Sequence, residues 1–338
     1  MRMKKSIALS LMLLCSMGMV AGCGTKETPA TAAEKYPDKP ITLIVPFAAG
    51  GSTDLLARSM EKVFTKYLNQ PLIVKNVPGG AATIGLNEIA GAEPDGYTLG
   101  IVSIGVMLQP LYGQTRYHYP SALDPLVQVT SLPTIAVVQA DKPWNNIGDL
   151  INYAKQNPGK VKFGHPGLGS GNHVAGEMFG QIASISMDQV PFKGEAEALA
   201  ALLGGHVQVI FTTPSSIQEH VKSGKLRIIG IGANKRSSDP LLSNVPTFKE
   251  QGIDVEFSFW QGIAVHKVME PEVKAKLLSA LEKVVNDPEY IQNMKALGME
   301  VDYLGQKEFE EKWLSDTVRF RKIVQETGIA EKIAAQKN

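Results

Sequence analysis

The sequence predicts an α/β fold of parallel sheets covered by helices, and three observations predict it. From Pro40 onward short apolar runs alternate with segments of helical spacing. Two of those runs end in glycine-rich loops that open directly into a helix. At 338 residues the chain is long enough for two domains, each with a core of its own.

A leader stands ahead of this alternation. Arg2, Lys4 and Lys5 precede an apolar stretch over 7–20, and Val20-Ala21-Gly22-Cys23 closes it. A charged start, a short apolar core and small residues before the cut describe an export signal over 1–22. The stretch is too short for a permanent membrane span. A cysteine directly after small residues looks like a bacterial lipobox, with Cys23 as the lipidated first residue of the mature chain. The chain has two cysteines, and Cys15 leaves with the signal, so no disulfide is expected. Residues 23–35 have no apolar period and read as a flexible tether. The expected location is extracytoplasmic, lipid-anchored, in the periplasm or on the outer face of the cell membrane.

The first strand is expected over 41–45. It breaks at Pro46, and Ala48-Ala49-Gly50-Gly51 leads into Ser52-Thr53-Asp54 and a helix over 53–68, with apolar residues at Leu56, Met60, Val63, Phe64 and Tyr67. Glycine lets a backbone approach a ligand closely. The first helical turn has N–H groups without intrahelical partners, and the helix dipole adds to them, which suits a carboxylate or a phosphate. No Gly-Lys-Ser/Thr follows, and the loop lacks G-x-G-x-x-G, so neither a nucleoside triphosphate nor a dinucleotide is implied.

Further strands are expected over 72–75, 97–103, 134–139, 161–164, 187–191, 207–211 and 226–230. Helices are expected over 147–157, 173–184, 195–203 and 216–222. These strands make one large sheet or two smaller ones. The strand over 161–164 runs into a second glycine loop, His165-Pro166-Gly167-Leu168-Gly169-Ser170-Gly171-Asn172, and then a helix from about His173. After Gly252 the pattern changes to an extended run over 255–265, helices over 271–286 and 288–297, a strand over 300–304 and a helix over 307–326. Two sheets, each with a helix N-terminus at the carboxyl end of a strand, suggest a ligand held between facing domains.

Composition narrows the function. The balance is +1 for the whole chain and −2 without the leader, and no basic tract longer than Lys235-Arg236 occurs in the body. Nucleic-acid binding through a charged surface is not expected. The histidines, His118, His165, His173, His206, His220 and His266, are dispersed, with no H-E-x-x-H pair, and no metal or cofactor is expected. No G-x-S-x-G elbow is present, and the chain is not read as an enzyme.

Several segments in order carry a resemblance: PDKPITLIVPFAAGGSTDLLAR (37–58), NVPGGAATIG (76–85), PDGYTL (94–99), GSGNHVAGEMF (169–179), VPFKGEAEAL (190–199), LLGGHVQVIF (202–211), GKLRIIGIGANKRS (224–237) and NVPTFKEQG (244–252). Together they resemble the solute receptors of tripartite tricarboxylate transporters, the Bug family, over nearly all of the mature chain. The resemblance implies a two-domain periplasmic-binding-protein fold of the Venus-flytrap kind, with two mostly parallel sheets, helices on both faces and two crossovers between domains. Domain one would comprise 36–131 and 258–338, and domain two 132–257. The implied role is to bind a small organic acid, a mono- or dicarboxylate, as a monomer and to deliver it to a two-component membrane permease. A sensor docking on a membrane kinase or chemoreceptor has the same fold and stands as the alternative.

The resemblance puts one carboxylate contact on the loop from Phe47 through Ala49, Gly50, Gly51, Ser52, Thr53 and Asp54, mainly through backbone N–H groups. The second lies on 167–173, where Gly169, Ser170 and Gly171 open the helix. Asp54 either bonds ligand or water, or serves as an acid in the first turn of its helix. His173 either lines the cleft or packs. Lys193, beside Gly194, either reaches a carboxylate or is solvated in a turn. Phe47 stacks on a ligand or packs beside the loop, and Gly79 and Gly80 form a turn at the cleft edge. Three departures from the family matter. Ala48-Ala49 replaces a frequent pair of prolines. Ser103 is the main hydroxyl after the third strand. Thr212-Thr213 stands where relatives often have an acid, which predicts a ligand without a cationic amine and more apolar than a tricarboxylate.

Overall fold

The structure is a computed structural model, and it describes residues 35–113, 115–233, 235–237 and 239–337. The expected signal, Cys23 and the tether up to residue 34 lie outside the described residues. Pro37–Asn338 forms one compact unit. Its strands are β1 (Ile41–Val45), β2 (Leu72–Asn76), β3 (Thr98–Ser103), β4 (Leu123–Pro133), β5 (Ile135–Gln139), β6 (Lys162–His165), β7 (Asp188–Pro191), β8 (Val209–Thr212), β9 (Leu226–Ile231) and β10 (Ser258–His266). The helices that matter for the site are α1 (Ser52–Leu68), α2 (Thr83–Ala90), α3 (Gly105–Leu108), α4 (Tyr119–Ala122), α5 (Ile147–Gln156), α6 (Gly171–Ile182) and α7 (Glu195–Leu203). Behind them come α8 (Gln218–Lys222), α9 (Pro271–Val285), α10 (Pro288–Ala296), α11 (Gln306–Thr327) and α12 (Ile329–Lys337).

The strands form two five-stranded sheets, ordered β2-β1-β3-β10-β4 and β7-β6-β8-β5-β9. In the first, β1 runs parallel to β2 and β3, and β10 runs antiparallel to β3 and β4. In the second, β6 runs parallel to β7 and β8, and β5 runs antiparallel to β8 and β9. Each sheet is therefore mostly parallel, with one reversed strand. Successive residues of β1, β3 and β8 are buried, so both faces of these strands are covered, as helices joining parallel strands require.

The reversed strands are the ones by which the chain enters each sheet. It leaves β4 for β5 across the single residue Thr134, and leaves β9 for β10 across residues 232–257. Both crossings depart from the carboxyl edge of one sheet's parallel strands and enter at the carboxyl edge of the other's. The two segments are tied together at the crossing: Thr134 N–H donates to Phe257 O (2.9 Å), Gly232 N–H to Thr134 O (2.7 Å) and Phe257 N–H to Gly232 O (3.0 Å).

Packing against the first sheet uses glycines as sockets. Gly262 of β10 admits the ring of Phe309 on α11, where a Cβ would stand 2.6 Å from Cζ. Trp260 lies edge-on to Phe309 at 5.2 Å and donates from Nε1 to the buried Asp316 at 2.9 Å. Asp316 is paired with Arg319 at 2.8 Å and Lys312 at 3.2 Å, so the indole and two cations satisfy its charge.

Strand β4 is not among the expected strands, and it contains Pro125 and Pro133. It is an edge strand, where a missing N–H is tolerated. The strand expected over 300–304 makes only one bridge, Gln128 to Leu304, yet Asp302 N–H donates to Val129 O (3.0 Å) and Leu304 N–H to Gln128 O (3.3 Å). That segment covers the open edge of β4. No helix among the described residues is long and apolar enough to cross a membrane.

Candidate functional site

Because both crossings join carboxyl edges, the loops that follow β1, β2 and β3 meet those that follow β6, β7 and β8. The contact is direct. A Cβ on Gly171, the first residue of α6, would stand 2.6 Å from Ile104 Cδ1 and 2.6 Å from Phe259 Cε1, side chains of the first sheet's end of the molecule.

The first loop is built around Asp54. Gly50 takes φ +84°, which favours glycine, and its N–H donates to Asp54 Oδ2 at 2.8 Å. Asn76 Nδ2 donates to Asp54 Oδ1 (2.9 Å) and to Phe47 O (3.1 Å), and Arg58 Nε lies 3.3 Å from Oδ2. Burial pushes the Asp54 carboxyl up, but these donors outweigh it and hold the group below its ordinary 3.8. Asp54 is thus spent as the loop's fastening, and the Gly50 amide is spent with it.

The next amides are different. Gly51 caps α1 with no side chain bonded to the helix end, and the first intrahelical bond is Leu55 N–H to Gly51 O at 2.9 Å. The N–H groups of Gly51, Ser52 and Thr53 meet no acceptor among the described residues. A Cβ built on Gly50 has no atom within 4 Å, and one on Gly51 meets only Ala48 O at 3.7 Å. The space beside the two glycines is open, and Gly51 and Ser52 are exposed whereas Thr53 is buried. Exposed Phe47 and Ala49 flank it. Gly79 (φ +119°) and Gly80 (φ +57°) make the exposed turn into α2, where Thr83 Oγ1 donates to Gly80 O at 2.7 Å. Ser103 ends β3, half-buried and opposite Gln261 of β10.

The second loop repeats the plan with a histidine. Gly169 N–H donates to Nδ1 of the fully buried His173 at 3.1 Å, which puts the ring proton on Nε2. Ser170 Oγ accepts from His173 N–H at 3.2 Å, an N-cap. His173 stacks on His165 at 4.4 Å, whose Nδ1 lies 2.9 Å from Gly167 O and Nε2 2.6 Å from Gln189 Oε1. Burial, with His173 beside it, holds the His165 ring down to about 4. Both rings are buried, and His173 Nε2 lies 3.6 Å from Glu177 Oε1. This loop is covered rather than open: besides Gly171, a Cβ on Gly169 would stand 2.7 Å from Tyr112 Cε2 and 3.0 Å from Ile333 Cδ1.

At the ends of β7 and β8, Lys193 is exposed and its N–H donates to Glu197 Oε2 at 3.1 Å. Gly194 caps α7, and a Cβ there meets nothing within 4 Å. The buried Thr212 hydroxyl donates to the Glu195 carboxylate and lies 2.9 Å from Ser216 Oγ. The expectation that Thr212-Thr213 leaves this position without an acid is corrected here, since α7 brings Glu195 to it from another strand's end.

Asn76, Glu195, Ile104 and Phe259 matter to the site and were not among its expected residues. Asn76 opens the segment NVPGG, a visible signal, whereas the other three are brought in by the fold alone. Among the described residues no group of three or more His, Cys, Asp or Glu is placed to hold a metal. A cavity of about 460 Å³ lies apart from the glycine loops, between Gly176, Glu177 and Gln181 of α6, the turn at 184–187, and Glu326 and Thr327 of α11. The arrangement at α1 is a set of neutral donors without a paired cation, suited to an anionic oxygen.

Residues 56–329 match the family described as tripartite tricarboxylate transporter family receptor. A protein of Cupriavidus necator, described as a UPF0065 protein in the gbd 5′ region, is 32% identical over 312 residues, covering 92% of this chain and 94% of its own. A solved TctC solute-binding protein from Polaromonas, without ligand, shares 30% identity at TM-score 0.76, covering 86% of this chain and 99% of that one. The R. palustris protein Rpa4515, solved with adipate, shares 25% identity at TM-score 0.75, covering 87% and 98%.

Proposed function

Since the chain belongs to the tripartite tricarboxylate transporter receptor family, we propose that it binds a small organic carboxylate in a cleft between two lobes and delivers it to a two-component membrane permease. One lobe comprises 36–131 and 258–338, and the other 132–257. The observation that carries this reading is the set of unused amides at Gly51, Ser52 and Thr53, the first two on exposed residues, at the dipole-positive end of a seventeen-residue helix. The similar R. palustris protein was solved with adipate, which supports a carboxylate as the ligand.

Affinity then comes from neutral donors that the fold aims in advance, because Arg58 is engaged by Asp54 and Asn76. Binding should depend only weakly on salt. Closure is a hinge motion about the two crossovers, a shift between open and closed populations that the ligand biases. The chain acts as a monomeric receptor held to the membrane by lipid on Cys23, outside the cytoplasm.

The test is a thermal-shift screen of mono-, di- and tricarboxylates and aromatic acids, since a ligand that binds only the native state raises Tm. Any hit is then titrated by calorimetry against wild type and Gly51→Val. Unchanged affinity in the variant would remove the loop from the site, and a screen without a single carboxylate hit would remove the reading.

A further inference from the structure

Glu195 is a partly buried carboxylate that accepts from the Thr212 hydroxyl, and no cation pairs with it among the described residues. The positive end of α7 favours a charge at this position, and the side chain keeps contact with solvent. It stands at the first position of α7, at the carboxyl edge of the second sheet. The space in front of the helix cap is open, since a Cβ on Gly194 meets nothing within 4 Å. The opposite carboxyl edge carries the free amides of Gly51, Ser52 and Thr53. One edge thus offers donors for an anion, and the facing edge offers an acceptor that repels one.

We propose that Glu195 sets the ligand class: a compound with a single carboxylate, whose far end is a hydrogen-bond donor such as a hydroxyl and not a second carboxylate. The inference rests on the carboxylate reading of the α1 amides. It separates this chain from the similar protein solved with adipate, a diacid. Selection of this kind works by placing a repulsive element against the wrong ligand.

The experiment is calorimetry with length-matched pairs, 4-hydroxybutyrate against succinate and 6-hydroxyhexanoate against adipate, on wild type, Glu195→Gln and Gly51→Val. The glutamine keeps an oxygen for the Thr212 hydroxyl and removes only the charge. Wild type should favour the hydroxy acid of at least one pair by about tenfold, the scale of one unfavourable charge contact, and Glu195→Gln should erase most of that ratio. Gly51→Val should lose both members of the pair alike. Preference of wild type for the diacids, or a ratio that Glu195→Gln leaves unchanged while both probes still bind, would overturn this inference alone. Failure of every probe to bind wild type would overturn it together with the carboxylate reading.

Discussion

Gly50 and Gly51 are neighbours that are glycine for different reasons. Gly50 needs its positive φ, and a β-branched residue there is strained whatever space it finds. Gly51 sits at φ −78°, ψ 168°, a conformation that valine adopts readily, so only the room in front of its amide is at stake. Gly51→Val should therefore leave Tm unchanged and abolish ligand binding, whereas Gly50→Val should lower Tm as well. Asp54 fastens Gly50 from behind. Asp54→Ala would leave the Gly50 amide without its acceptor and take one acceptor each from Asn76 and Arg58, and urea unfolding should show a loss of about 1–3 kcal/mol. The wild-type contribution has a definite sign with pH. The folded carboxyl titrates below the ordinary 3.8, so its stabilisation is complete above that value and is lost as pH falls through the lowered folded pKa. Asp54→Ala should remove that part of the acid sensitivity.

A single device recurs among the helices. In α1, α5, α6 and α7 the third helical residue, Asp54, Asp149, His173 or Glu197, accepts from the amide just before the cap, that of Gly50, Asn145, Gly169 or Lys193. This is why the sequence could place these helices well and their ligand contacts less well. Strand-loop-helix order is visible in apolar spacing, and α7 was read at its observed limits. Which amides are already used depends on side chains four positions on, and whether Asp54 and His173 serve the ligand or the loop could not be read from spacing. Glu195 at Thr212 depends on how β7, β6 and β8 lie side by side, a long-range fact with no local signal. Likewise the prolines of β4 are acceptable only at an edge, and its edge position is itself a long-range fact. In α6 the device has a titratable neighbour. Folded His165 is held near 4 against an ordinary 6.5, so the unfolded chain binds more protons between those values. Stability should fall as pH drops from 6.5 toward 4, with a slope of up to ~1.4 kcal/mol per pH unit from this ring. His165→Gln should flatten the pH dependence of urea unfolding by about one proton in that window, and an unchanged slope would mean that the ring titrates elsewhere.

At the scale of the whole molecule, two sheets do not make two independent cores. One continuous apolar cluster includes Ile44 and Val102 of the first sheet with Ala136, Phe163 and Phe211 of the second. Phe257, fully buried at the crossing, helps to join them: its ring lies 5.3 Å from Phe259 and 5.5 Å from Phe320, and its backbone bonds to both Thr134 and Gly232. Sheets that share a core cannot lose their packing one at a time without exposing the shared part. Scanning calorimetry should accordingly give one transition, with calorimetric and van't Hoff enthalpies equal. Phe257→Ala removes the bridging ring while leaving both sheets' own strands intact. It should cost about 3–5 kcal/mol, the usual range for a buried phenylalanine, and split the transition in two. Two resolved transitions already in wild type would mean that the crossing only tethers the lobes. In that case a carboxylate bridging α1 and α7 would raise both melting temperatures together, and a carboxylate resting on α1 alone would raise one.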